Sequence, residues 1–96
     1  MHRPPSQLTL REKLSEAERL TRELIDHVEK GFIPRAHELR RVTRHGGDSE
    51  EVADLTVRST AEKFTESDQF TRNLSAQLQE VLGLIQADIE VLQGRR

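Results

Sequence analysis

Apolar or small residues recur along residues 9–45 at alternating intervals of four and three positions. The stripe runs through Leu10, Leu14, Ala17, Thr21, Leu24 and Val28. This spacing is typical of an α-helix that packs one face against another helix. Leu20 and Ile25 widen the stripe into a broader core-facing side. Thr9 and Glu12 form a capping box, which predicts that the helix begins near residue 9.

Residues 49–93 predict a second, longer helix. Its last part has the most regular apolar spacing in the chain, through Leu78, Leu82, Ile85, Ile89 and Leu92. Asp48 and Glu51 form a capping box at its start, and Gly94 is expected to end it. No proline interrupts this range, so the sequence predicts a helix throughout it. A bend near Ser67 is the alternative, because residues 65–69 are all polar and the apolar spacing shifts there.

Two stretches interrupt the helical pattern. Gly31 and Pro34 predict a kink near residues 31–34, because a proline disfavours the α conformation at the residue before it. A helix that continues through Pro34 is the alternative. The Gly-Gly pair at the centre predicts a turn over residues 46–48, which would make the two helices antiparallel neighbours. The predicted fold is all-α: a long antiparallel helical hairpin with a kinked first helix.

The composition limits the size of the core. The chain has 96 residues, of which 33% are hydrophobic and 3% aromatic, so one small domain with a modest core is expected. Residues 1–8, with two consecutive prolines, are predicted to be flexible, and residues 94–96 form a short tail.

The chain has more apolar residues than two paired helices can bury if each helix contributes a single apolar stripe to the contact. We therefore expect the hairpin to complete a helical bundle or coiled coil with a partner chain, either a second copy or another protein. The residues predicted to form this interaction seam are Leu14, Leu24, Val28, Leu78, Leu82, Ile85, Ile89 and Leu92.

Charge is distributed unevenly between the two halves. Residues 1–47 contain ten Lys and Arg against seven Asp and Glu, a net charge of +3, whereas residues 48–96 contain five against ten, a net charge of −5. We expect the basic end of the first helix to pair with the acidic start of the second. The residues concerned are Arg40, Arg41 and Arg44 on one side and Glu50, Glu51 and Asp54 on the other. The alternative for this basic cluster, with Arg35, is nucleic-acid binding.

Catalytic and metal-binding motifs are incomplete. The segment HELRR begins at His37 like the zinc-binding His-Glu-x-x-His motif, but Arg41 stands where the second histidine is required. The chain has no cysteine and no glycine-rich phosphate-binding loop. We therefore expect no enzymatic activity, no metal and no cofactor.

The apolar segments are too short for a signal peptide or a membrane span. A cytoplasmic location without membrane insertion is expected, and signal-independent secretion is left open.

The architecture resembles that of the W-x-G substrates of type VII secretion systems, in which a Trp-x-Gly turn joins two helices of a cysteine-free chain. The turn here reads His45-Gly46-Gly47, so the glycine matches and the tryptophan is absent. The export motif Tyr-x-x-x-Asp/Glu is represented only by Phe64 and Asp68, which lie inside the second helix. The resemblance implies a secreted helical protein that assembles into a four-helix bundle.

The predicted function is that of a non-catalytic helical subunit for protein–protein interaction and assembly. The alternatives are a secreted type VII-like substrate and a helical protein associated with nucleic acid.

Overall fold

The computed structural model describes residues 3–45 and 50–94, and every regular element in these ranges is helical. A 3-10 helix spans Pro5–Gln7 and is followed by α1 at Leu10–His27, a π-helical segment at Val28–Phe32, α2 at Ile33–His45 and α3 at Glu50–Leu92. The prediction of an all-α chain whose helices pack against each other is confirmed. The predicted turn at residues 46–48, and the capping box that begins at Asp48, lie outside the described residues.

The start of α1 is fixed by the predicted capping box, which the structure confirms. The backbone N–H of Thr9 donates to Glu12 Oε1 at 2.9 Å, and the backbone N–H of Glu12 donates to Thr9 Oγ1 at 3.1 Å. The Arg3 guanidinium also reaches the Glu12 carboxylate at 2.5 Å. This contact ties residue 3 to the first turn of α1, in the segment for which the sequence predicts flexibility.

The interruption predicted near residues 31–34 takes the form of a π-helical turn. The backbone N–H of Ile33 bonds to the carbonyl oxygen of Val28, five residues earlier. Ile33 itself has α-helical torsion angles, φ −62° and ψ −47°, although a following proline disfavours this conformation. In a regular α-helix the ring of Pro34 would clash with the carbonyl of Lys30. The wider π turn around Lys30 relieves this clash, and the chain remains helical.

The C-terminal end of α3 follows the prediction for Gly94. This glycine has a positive φ of 76°, which a residue with a side chain rarely adopts. Its N–H donates to the carbonyl oxygen of Val91 at 3.0 Å. The left-handed glycine therefore ends the helix at Leu92.

The contacts within the chain divide into two compact units. Unit 1 combines residues 3–24 with residues 74–94, and unit 2 combines residues 25–45 with residues 50–73. Each unit therefore pairs helical segments from the two halves of the chain.

Candidate interaction surface

The core of unit 1 is a small apolar cluster between α1 and the C-terminal part of α3. Its buried members are Ala17, Leu20, Leu74, Val81 and Ile85, and the partly buried residues packed against them are Leu10, Leu24, Leu78 and Ile89. Leu20 and Val81 are each only 1% exposed. On both helices these residues follow intervals of three and four, as packing between two helices requires.

The two segments of unit 1 run antiparallel. Lys13, near the start of α1, contacts Asp88, near the end of α3. Leu20 and Leu74 nevertheless share one buried cluster. In a parallel pair with Lys13 beside Asp88, these two leucines would be far apart along the axis, so only the antiparallel arrangement satisfies both observations.

The eight residues of the predicted seam have different positions in the structure. Leu24, Leu78, Ile85 and Ile89 belong to the core of unit 1 or pack against it, and Val28 is half-buried in unit 2. Leu14 and Leu82 are 49% and 48% exposed, and Leu92 is also exposed. The heptad stripe of the second helix is therefore divided between an internal core and an outward-facing surface.

The core stripe of α1 is shifted from the predicted one because a charged residue occupies a core position. Lys13 is buried where the predicted stripe has Leu14, and Leu20, which the sequence already places on the widened core-facing side, is buried where the stripe has Thr21. A lysine interrupts any search for apolar spacing, so the true register is hidden in the sequence. The sequence signals part of this shift, because Leu20 already widens the predicted stripe towards the side that the structure buries.

The buried lysine is paired with a carboxylate. Lys13 Nζ lies 2.6 Å from Asp88 Oδ2, and the two side chains are 7% and 33% exposed. Burial of an ammonium group without a partner costs several kcal/mol, so a carboxylate at this distance is required for Lys13 to occupy the core. The pair also fixes the register of α1 against the C-terminal part of α3.

The unit 1 helix pair has two sides that differ in chemistry. Successive residues of an α-helix are rotated by about 100°, so the positions beside each core stripe fall on one side of the pair or the other. We call one of these the uncharged side; its residues are Leu10, Leu14, Thr21, Leu78, Leu82 and Gln86. No ionisable group is among them. The ionisable residues Arg11, Glu18 and Glu90 lie farther from the core, at the rim of this side.

The opposite side, which we call the charged side, contains Glu12, Glu16, Arg19, Glu23, Glu80, Leu84 and Val91. Arg19 pairs with Glu16 at 2.6 Å and also contacts Glu23. The hydrogen bond to Glu16 raises the pKa of Arg19. In unit 2, Asp26 and Lys30 form a further ion pair between positions i and i+4, at 2.8 Å.

Unit 2 is held by two aromatic contacts. The rings of Phe32 and Phe64 have centroids 5.2 Å apart, and the His27 ring packs edge-on against Phe70 with centroids 4.6 Å apart. From His27 to Phe32 along the first segment, the aromatic partner on the second segment moves back from Phe70 to Phe64. The two segments of unit 2 are therefore also antiparallel. The buried residues of unit 2 include Val42 and Thr60.

His27 has a defined place in unit 2. Its Nε2 lies 3.0 Å from the carbonyl oxygen of Ser67, and because a carbonyl only accepts, Nε2 carries the hydrogen. Gly31 lies directly beneath the ring: a Cβ added there would be 3.0 Å from His27 Cε1 and 3.1 Å from Nδ1. The histidine is therefore a packed structural residue, and Gly31 makes room for it.

The arginine cluster is partly neutralised within its own helix. Arg41 pairs with Glu38 at 2.5 Å, and Arg40 lies 3.4 Å from Nδ1 of His37. The hydrogen bond from Arg41 lowers the pKa of Glu38, and the same bond raises the pKa of Arg41. The predicted pairing with Glu50, Glu51 and Asp54 lies outside the side chains that the structure describes. A shallow open groove beside this cluster is lined by His37, Arg40, Arg41 and Arg44.

Within residues 3–45 and 50–94, no group of three His, Asp or Glu side chains is placed to hold a metal ion. No helix in the same part of the chain combines the length and apolar character needed to cross a bilayer.

In comparisons with known proteins, no family model, no curated protein and no solved structure matches this chain.

Proposed function

We propose that this protein is a non-catalytic helical subunit whose function is to assemble with another polypeptide chain. The observation that carries the proposal is a pair of large apolar side chains on one side of unit 1. Leu14 and Leu82 are 49% and 48% exposed, on the side that carries no ionisable group next to the core.

Part of the exposed surface is apolar. The large exposed hydrophobic residues of unit 1 are Leu14, Leu82, Val91 and Leu92, and those of unit 2 are Ile25, Ile33, Leu55 and Phe70. A chain that covers these side chains in an assembly gains the stabilisation that its small internal core does not supply.

The site for this assembly is the uncharged side of unit 1. Leu14 and Leu82 are half-exposed there without an ionisable group between them and the core. Charged residues are depleted at the centres of protein interfaces, and this side has that character. The proposal places the protein in the cytoplasm, as expected from the sequence.

Photo-crosslinking in the cells that make the protein tests the proposal. A photoreactive amino acid at Leu82 is expected to give a covalent adduct with a protein of either kind, a second copy or another chain. The matched control is Glu80, which is exposed on the charged side and is expected to give little adduct. A folded protein that forms no adduct at Leu82 would contradict the proposed function.

Nucleic-acid binding is the competing use of the arginine cluster. Because Arg41 is already engaged by Glu38, we expect no tight binding at physiological salt. Titration of labelled duplex DNA and RNA measures this directly. A salt-sensitive, submicromolar affinity that is lost on substituting Arg40 and Arg44 would favour nucleic-acid binding over the assembly function.

A further inference from the structure

We propose that a groove in unit 2 binds the phosphate group of a small phosphorylated molecule, in its doubly charged form. The groove lies between α2 and α3, beside the π-helical turn, and has a volume of about 460 Å³. It is lined by Lys30, Pro34, Arg35, Glu38, Thr60 and Lys63. All of these residues belong to unit 2, so the site adds to the proposed assembly function and does not depend on it.

The groove concentrates positive charge. Lys30, Arg35 and Lys63 are exposed basic residues, and Glu38 supplies a single carboxylate, so the lining carries a net charge of +2. Arg35 forms no ion pair or hydrogen bond with the part of the chain that the structure describes. Its guanidinium is therefore available to a phosphate, which it can contact through two parallel N–H···O bonds. The two lysines add point charges on flexible stems.

The carboxylate of Glu38 does not cancel this charge, because another residue already holds it. Arg41, outside the groove, contacts both oxygens: its Nη2 lies 2.5 Å from Oε1 and its Nε lies 3.2 Å from Oε2. The hydrogen bond from Arg41 lowers the pKa of Glu38, and the charge of Lys63 acts in the same direction. Lys30 pairs with Asp26 at 2.8 Å, but their side chains are 77% and 60% exposed, so this pair is weak enough for an anion to compete with it.

A buried hydroxyl completes the site. Thr60 lines the groove although the residue is only 8% exposed. Its hydroxyl forms no hydrogen bond with the described residues, and no side-chain oxygen among them is both fully buried and unpaired. The hydroxyl therefore opens into the groove, where an oxygen of the ligand can accept its hydrogen. A polar side chain held in a buried position without an internal partner is more typical of a binding site than of a packed core.

The lining residues favour a phosphate monoester. Such a group carries close to two negative charges at neutral pH and has three strong acceptor oxygens, which match a set of arginine, lysine and hydroxyl donors. None of the described lining residues is aromatic, so the bases of a single-stranded nucleic acid would have no surface on which to stack. The volume is within the range of pockets that hold small organic molecules, so the groove has room for the group that the phosphate is attached to.

NMR titration of the isotope-labelled full chain with methyl phosphate, at constant ionic strength and about pH 7.5, tests the inference. The amide signals of Arg35, Thr60 and Lys63 are expected to shift together, with a dissociation constant below about 1 mM. Dimethyl phosphate, which carries one negative charge, should bind at least about 10-fold more weakly. Inorganic phosphate distinguishes the two sources of the ligand: equal affinity supports free phosphate, and weaker affinity supports a phosphorylated organic molecule.

Three substitutions in the groove have different expected effects on the affinity for methyl phosphate. Arg35→Gln should raise the dissociation constant at least about 10-fold, because it removes a charged donor. Thr60→Val should raise it about 3- to 10-fold without lowering the melting temperature, because the lost hydroxyl has no partner among the described residues. Glu38→Gln should tighten binding, because it removes the negative charge of the lining and releases Arg41.

Arg40→Gln is the matched control, because Arg40 is an exposed arginine of the same helix that lies outside this groove. It should change the dissociation constant less than about 3-fold, as expected for an exposed charge that does not contact the ligand. An equal loss of affinity for Arg35→Gln and Arg40→Gln would mean that methyl phosphate responds only to overall charge, and it would overturn the inference.

Two further results would also overturn the inference. One is the absence of saturable shifts at Arg35 and Thr60 up to about 10 mM methyl phosphate, well above the expected dissociation constant. The other is a single-stranded RNA oligonucleotide that shifts the same amide signals at lower concentrations than methyl phosphate, which would assign the groove to nucleic acid.

Discussion

The buried ion pair of unit 1 gives the sharpest test of the core. Asp88→Asn removes one charge and Lys13→Met removes the other, each with little change in side-chain size. Because Lys13 is 7% exposed and Asp88 is 33% exposed, the two substitutions are not equivalent. The remaining lysine would be confined in the core, whereas the remaining aspartate is open to water.

The magnitudes follow from the geometry. Two unit charges 2.6 Å apart attract by about 6 kcal/mol at an effective dielectric constant of about 20. Desolvation of both groups offsets most of this attraction, so the net contribution of the intact pair is small. We expect Asp88→Asn to lower the free energy of unfolding by about 2 kcal/mol, since Lys13 loses its charged partner. Lys13→Met should change it by less than about 1 kcal/mol, because the apolar side chain suits the core.

Urea denaturation followed by circular dichroism, at one fixed protein concentration, measures these differences. The double variant should be close in stability to Lys13→Met alone, because the penalty of Asp88→Asn exists only while Lys13 is charged and buried. Double-mutant coupling of about 1–2 kcal/mol is therefore expected. A coupling below about 0.5 kcal/mol, or a larger loss for Lys13→Met than for Asp88→Asn, would refute the reasoning.

Three further predictions concern individual residues. Gly83→Ala should stabilise α3 by about 0.5–1 kcal/mol, because nothing lies within 4 Å of the new Cβ. Gly31→Ala should destabilise the protein, because its Cβ meets the ring of His27. Equal effects of the two substitutions in thermal melts would contradict this packing. The hydrogen bond from the backbone N–H of Thr9 lowers the pKa of Glu12 below 4.5. The contribution of Glu12 to helix stability is therefore present above pH 4.5 and is lost as the pH falls through the lowered pKa. An NMR titration that gives Glu12 a pKa of 4.5 or higher would contradict this prediction. Leu20→Ala should cost about 2–5 kcal/mol in urea denaturation, and a loss under 1 kcal/mol would show that this 1% exposed residue is not central to the core.

The features that depend on short-range chemistry could be predicted from the sequence. The capping box of Thr9 and Glu12 and the terminating role of Gly94 each involve residues within a few positions of one another. The all-α class follows from regular apolar spacing over two long ranges. For these elements the local physical requirements leave few alternatives.

The features that depend on the partner helix could not be predicted. Lys13 enters the core only because Asp88, 75 residues later, supplies a carboxylate. Lys13 is buried beside this contact, whereas its neighbour Leu14 is exposed, as is Leu82 on α3. Ile85, predicted to meet another chain, is buried in the internal core. Substitution of Ile85 by aspartate is therefore expected to unfold unit 1 and would not report on assembly.

The π-helical turn shows a second limit. The sequence around Pro34 indicates an interruption, but local propensity does not distinguish a break from a widened helical turn. Packing of the His27 ring against Phe70 and Ser67, with Gly31 beneath it, accompanies the turn that forms. These contacts join positions about 40 residues apart, so no local pattern contains them.

The most direct test of the central claim is site-specific photo-crosslinking of the full chain in the cells that make it. We predict covalent adducts with another polypeptide, a second copy or a different protein, when the photoreactive amino acid replaces Leu14 or Leu82, and little adduct when it replaces Val91. Adducts at Val91 with none at Leu14 and Leu82 would contradict the claim that the uncharged side of unit 1 is the surface through which this protein assembles.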